Sequence, residues 1–173
     1  MKSAVFAILS NPVQAEAVVD ELRLAGFSNN DVSVLFPDTE GTFEFAHAKS
    51  TKAPEGAVVG ASAGGVLGGI TGWLVGLGTL AIPGAGPLIA AGPIFAALSG
   101  IAVGGVAGGL SGALAGLGFA EYEAKLYAGM LQDGNILLAI HTENPHEVKV
   151  AREIFERANA SDIGVTQEEV VRH

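Results

Sequence analysis

The residues able to do chemistry are few. His141, Glu143 and His146 lie close together, and imidazoles with a carboxylate form a metal-ligating set. The trio offers no clear third ligand, so a strand histidine followed by a helix-start histidine is the expected reading. Gly84-Ala85-Gly86 invites comparison with a dinucleotide loop. No strand precedes it, Ile89 stands where the third glycine belongs, and prolines flank it, so no nucleotide site is expected. His47 and His173 have no evident partners, and Glu40, Glu44 and Glu55 read as a solvated acidic surface. Tyr122 and Tyr127 read as packing or interface residues. The chain has no cysteine, which removes thiolate chemistry and disulfides. No catalytic constellation emerges. The expectation is a non-enzymatic protein with no cofactor, no metal site and no catalytic residue.

The elements that must position these residues fall in two matching halves. Ala4–Leu9 is a short apolar run with β-branched and aromatic members, a strand signature. It is short for the apolar region of a signal peptide and Asn11-Pro12 follows at once, so the chain is expected to start in the cytoplasm. Asn11-Pro12-Val13-Gln14 offers a cap, a proline for the first helical position and a capping-box glutamine. Ala15, Val18, Val19 and Leu22 make one apolar helix face, Gly26 stops it, and Asp31–Phe36 is a second strand. The pattern recurs as Ile136–His141, then Asn144-Pro145-His146-Glu147, then Val148, Ala151, Ile154, Phe155 and Ala158, then Asp162–Val165. Two β-α-β units predict an α+β protein with a ferredoxin-like split β-α-β head, in which the second and third strands are antiparallel neighbours. Thr42–His47 alternates like an extra edge strand, and Lys49–Pro54 is a polar linker. Glu121–Asp133 reads as a helix with an ion pair between Glu121 and Lys125, stopped at Gly134.

Between the second and third strands lies an insert without a single ionisable side chain, residues 56–120. It holds 20 of the chain's 25 glycines. Many stand four apart: Gly56, Gly60, Gly64, Gly68, Gly72, Gly76, then Gly100, Gly104, Gly108, Gly112, Gly116. The glycines of about 58–78 recur at about 98–118, an internal repeat with a 40-residue shift. Pro83, Gly84, Gly86 and Pro87 form a turn between the copies. The reading is a helical hairpin over 55–81 and 93–118, inserted in a head made of 1–55 and 121–173. Glycine inside a helix costs about 1 kcal/mol relative to alanine, so something must offset the ladders. Glycines stacked four apart form a groove for close helix packing. Gly60, Gly64, Gly68, Gly72, Gly76, Gly100, Gly104, Gly108, Gly112 and Gly116 are therefore the expected oligomer interface, and the expected partner is a second copy of the chain.

The net charge of −9 opposes nucleic acid, whose phosphates need a basic footprint. A lipid bilayer is the other partner considered. A helix of about 26 residues is roughly 39 Å long, enough to cross a hydrocarbon core of about 30 Å. Lys49 and Lys52 just outside the insert would then hold the head on the cytoplasmic side. Against this, glycine and alanine are weakly lipophilic. The alternative is a lipid-free homopolymer, a filament, tube or shell built by the same helices. A further alternative is a small-molecule-sensing ferredoxin-like oligomer, and a third is a glycine-lined channel.

Phe45-Ala46-His47, Thr51–Gly56, Gly72-Trp73-Leu74, Ala81–Gly84, Ala90–Pro93 and Glu121–Lys125 together resemble an uncharacterised bacterial family of general stress or low-temperature-induced proteins, some labelled membrane proteins. The resemblance runs over about 1–165 and is most specific over 45–125. It implies a bacterial, stress-linked protein and supplies no catalytic residue.

Overall fold

The computed structural model describes residues 2–37, 78–82, 86–94, 98, 109–116 and 118–168, without the side chains of 78–82, 86, 87 and 168. The elements, in order, are β1 (Lys2–Leu9), α1 (Pro12–Leu24), β2 (Val32–Pro37), β3 (Gly78–Ile82), β4 (Gly86–Ala91), α2 (Gly109–Gly116), α3 (Glu121–Gln132), β5 (Ile136–Thr142), α4 (Pro145–Arg157) and β6 (Ser161–Glu168). The fold is α+β. One six-stranded sheet runs in the order β3-β4-β2-β5-β1-β6 with every pair antiparallel. β5 lies between β1 and β2, so each β-α-β unit is split by a strand of the other.

Local chemistry sets the helix starts. Asn11 is extended, and its side chain accepts the Gln14 N–H at 2.8 Å with Pro12 next in line. Gln14 Oε1 accepts the Ser10 N–H at 2.9 Å, and its amide donates to the Ala158 carbonyl at 2.6 Å. This one side chain therefore closes its own helix start and ties α1 to the end of α4. Lys125 and Glu121 pair at 3.2 Å on an exposed face of α3, a contact worth little in water.

Strand alternation splits the core in two. Val5, Ala7 and Leu9 of β1, Val32, Val34 and Phe36 of β2, and Ile136, Leu138 and Ile140 of β5 face α1 and α4. Phe6, Ile8, Leu35, Leu137 and Ala139 face the other way, under Leu110, Ala113 and Leu114 of α2 and Ala124, Tyr127, Ala128 and Leu131 of α3. The sheet is thus buried on both faces. That explains why β1, β2 and β5 read as near-continuous apolar runs rather than alternating ones. Phe6, Phe119 and Tyr127 cluster with ring centroids 4.8 to 5.6 Å apart.

The inserted helical hairpin needs correction wherever it is described. Residues 78–81, expected to end its first helix, belong to β3. Of the expected turn, Gly86 and Pro87 open β4, which pairs antiparallel with β3, while Pro83 and Gly84 lie outside the described residues. The second helix is not one continuous element over 93–118. Pro93, Ile94 and Leu98 are helical, but Gly109 has φ +60°, a left-handed conformation at the first residue of α2. The cause is tertiary. Left alone, β2 would be a bare sheet edge with a row of unpaired N–H and C=O groups, and β4 pairs with it from Val34↔Ala91 to Pro37↔Leu88. Leu88, Ile89, Ala90 and Ala91 are all buried. The 40-residue repeat is not structural at its end: Gly78 opens a strand, whereas Gly118 sits in a turn at φ +99°. The suggested strand Thr42–His47 lies outside the described residues.

Candidate functional site

A cleft of about 790 Å³ opens where β5 hands over to α4. Its walls are Thr142, Glu143, Asn144, Pro145 and Glu147 from that junction, Lys2 from β1, Asn30 and Asp31 from the entry to β2, His141, and Pro93. The junction is held by its own hydrogen bonds. Buried Thr142 donates its hydroxyl to the Glu147 carboxylate and accepts the Asn144 N–H at 3.0 Å. Asn144 Oδ1 accepts the His146 N–H at 2.9 Å, and Pro145 occupies a position where no donor is needed. Asp31, Glu143 and Glu147 outnumber Lys2, so the electrostatic balance of the cleft is acidic and suits a cationic or neutral polar guest.

His141 sits at the back. Its N–H donates to the Asp31 carbonyl at 2.7 Å, and its Nε2 lies 2.8 Å from Ser33 Oγ. That hydroxyl also accepts the Ile94 N–H at 3.1 Å. A hydroxyl held by an imidazole is the arrangement of an activated nucleophile. Here it cannot attack anything, because Ser33 has no exposed surface. Gly92 closes over it at φ +81°, so tightly that a Cβ there would meet the Val32 carbonyl oxygen and lie 3.0 Å from Ser33 Oγ. The group works as a latch. It fastens the strand β4 and the turn that follows it to the start of β2.

The structure separates the suggested metal trio. His141 and Glu143 line the large cleft, whereas His146 lines a smaller pocket of about 190 Å³ with Gly26, Phe27 and Val150. No group of three or more metal-ligating side chains is assembled among the described residues. Tyr122 is 77% exposed. Tyr127 is buried and donates to the Asp162 carbonyl at 2.8 Å. Burial, with the Glu123 and Asp162 carboxylates, pushes its phenol far above the usual tyrosine range.

Of the ten ladder glycines, Gly112 and Gly116 are described, both in α2; Gly60, Gly64, Gly68, Gly72, Gly76, Gly100, Gly104 and Gly108 lie outside the described residues. α2 packs inward through Leu110, Ala113 and Leu114. Gly112 is half-buried and Gly116 exposed. Sequence reasoning missed Ser33 and Gly92. The available signals were a serine in an apolar strand and a glycine directly before Pro93. No protein-family model, curated protein or solved structure matches the chain.

Proposed function

We propose that this chain is a non-enzymatic, self-assembling protein whose copies associate through the charge-free 56–120 stretch. The observation that carries it is the placement of the ladder in α2. The side chains that dock α2 onto its own molecule are Leu110, Ala113 and Leu114, while Gly112 and Gly116 are turned away from that contact. Glycines that cost helix stability and take no part in the packing of α2 on the described core are explained by close approach of a neighbour. The strand order β2-β5-β1-β6, with both helical crossovers on one face, supports a ferredoxin-like head carrying this stretch.

Of the two settings for assembly, the lipid-free one is favoured. β3 and β4 place strand backbone within the charge-free stretch, and hydrocarbon does not tolerate strand edges exposed to it. No helix among the described residues is long and apolar enough to cross a membrane. A cytoplasmic assembly in a stress-linked bacterial setting is the reading that accords with the family resemblance. A small-molecule-sensing oligomer is the second reading, favoured by the cleft beside His141.

Sucrose-gradient flotation with and without liposomes tests the first reading. Large particles that stay dense in the presence of lipid are expected. Flotation of the bulk of the protein with liposomes would overturn the lipid-free setting, and a monomer in both samples would overturn self-assembly. Gly112→Leu with Gly116→Leu should reduce particle size while the far-ultraviolet spectrum is unchanged.

A further inference from the structure

β3 is one margin of the sheet, and among the described residues β4 is its only strand neighbour. Register shows which of its backbone groups β4 leaves unbonded. The His141 N–H bonds to the Asp31 carbonyl, so the odd-numbered residues of β2 turn their polar groups to β5. Val34 and Phe36 therefore face β4 and bond with their partners Ala91 and Ile89. That leaves Leu88 and Ala90 to bond across to Leu80 and Gly78. The N–H and C=O groups of Thr79 and Ala81 then point away from the sheet. The prolines agree with this phase: Pro87 stands opposite Ala81 and Pro37 opposite Leu88, both at positions where a missing N–H breaks no rung of these ladders.

We propose that the outer edge of β3 pairs with the β3 edge of a second copy, antiparallel about a two-fold axis at Leu80, to give one continuous sheet across both subunits. This rests on the self-assembly reading and adds a contact separate from the glycine ladder. The edge is self-complementary. With Leu80 opposite its own copy, Thr79 of each chain stands opposite Ala81 of the other. Each of those two pairs exchanges two hydrogen bonds, four in all. Leu80 falls on the non-bonded pair at the centre, as its inward-turned backbone requires.

The choice of a second copy follows from charge. An edge strand is normally guarded by charged side chains, proline or a bulge. Gly78-Thr79-Leu80-Ala81-Ile82 has none of these in its sequence. The opposite margin, β6, carries Asp162 and Glu168 and a register shift against β1. Two chains of net charge −9 repel over most of their surfaces, and the β3–β4 hairpin is a place where they meet without bringing ionisable groups together. The isologous geometry closes on itself, so this contact alone makes a dimer. Combined with the ladder contact it makes larger particles.

Ala81→Pro is the selective test. It removes an N–H that faces outward and sits opposite Pro87, so the β3–β4 ladder keeps its bonds. Native mass spectrometry and light scattering of the full chain should show wild-type particles of even copy number and a loss of the pairing step in Ala81→Pro. Gly112→Leu with Gly116→Leu should stop at the dimer. An assembling wild type whose Ala81→Pro variant keeps the same mass overturns the edge pairing and leaves the self-assembly reading standing. A wild type that is monomeric at all concentrations overturns both. Hydrogen exchange on wild-type protein is independent of any variant. The Thr79 and Ala81 amides should exchange at least about tenfold more slowly in the assembled state than after dilution, and equal rates overturn the pairing.

Discussion

Gly164 lies in β6 opposite Phe6 of β1, and its replacement by alanine isolates one packing contact. Its φ is not in the left-handed region, so alanine meets no backbone strain. At an ordinary strand position Gly→Ala stabilises by about 0.4–1 kcal/mol through the unfolded chain. Here an added Cβ would lie 2.5 Å from Cζ and 2.6 Å from Cε2 of Phe6. The ring cannot swing away: it is fully buried, with Phe119 at 4.8 Å and Tyr127 at 5.1 Å between centroids. Overpacking of this kind costs about 1–3 kcal/mol, so Gly164→Ala should destabilise by a net of about 1–2 kcal/mol. Phe6→Leu removes the ring atoms in question and should itself cost about 1–3 kcal/mol through lost aromatic contacts and a partial cavity. In that background Gly164→Ala should become neutral or stabilising by up to about 0.5 kcal/mol, giving a coupling of about 2 kcal/mol. Urea unfolding of the four proteins of the cycle measures it, at conditions where all share one association state. Equal destabilisation by Gly164→Ala in both backgrounds would refute the assignment to the Phe6 ring.

Gly92→Ala combines a left-handed φ, worth about 1–2 kcal/mol, with a contact to the Val32 carbonyl oxygen that only movement of β2 relieves. Destabilisation of about 3 kcal/mol or more is expected by urea unfolding, and a value within 0.5 kcal/mol of wild type refutes the close approach. Ser33→Ala leaves the buried Ile94 N–H without its acceptor and should cost about 1–3 kcal/mol, read by thermal unfolding. Tyr127 has a phenol pKa raised in the folded state by burial, then by Glu123 and Asp162. Its contribution is complete below the unfolded value of about 10 and falls as pH rises from there toward the folded value. The melting temperature should drop above about pH 10, and Tyr127→Phe should flatten that drop while losing about 1 kcal/mol at neutral pH with the Asp162 bond.

The β-α-β units were legible because their signals are local. Asn11-Pro12 and Asn144-Pro145 mark helix starts through bonds to residues two or three positions on. The apolar faces of α1 and α4 recur with helical period. The 78–91 segment was misread because its deciding interaction is distant. Nothing within Gly78–Ala91 records that β2 needs a partner, and that pairing spans about fifty residues of sequence. Thr79, Ile82 and Ile89 were the available β-branched hints, outweighed by the glycine spacing on either side. At the cleft, His141 and Glu143 were visible by type. Ser33 was not, because its contact with His141 is a diagonal one across β2 and β5 that exists only once the register is set.

Absence of charge has two physical causes, a surrounding of lipid and a surrounding of protein, and they leave different marks. Lipid accepts an apolar side chain on every outward face of a helix. A two-faced sheet demands apolar side chains on alternate residues in opposite directions. β4 carries the second mark: Ile89 and Ala91 enter one core and Leu88 and Ala90 the other. Leu98, Leu110 and Leu114 continue the second core with essentially no exposure. The large apolar side chains of its described part, then, are free of charge because they lie inside the molecule. This explanation covers the large side chains and leaves out the glycines, since Gly112 and Gly116 stand on the side of α2 turned from that core. Had the ladder served the same core, its step of four would coincide with Leu110 and Leu114, themselves four apart. It is displaced from them by two residues, about 200° around a helix of 3.6 residues per turn. The leucines and the glycines of α2 thus face opposite ways, one set toward the chain's own sheet and the other away from it, on the side where the proposed second copy would pack.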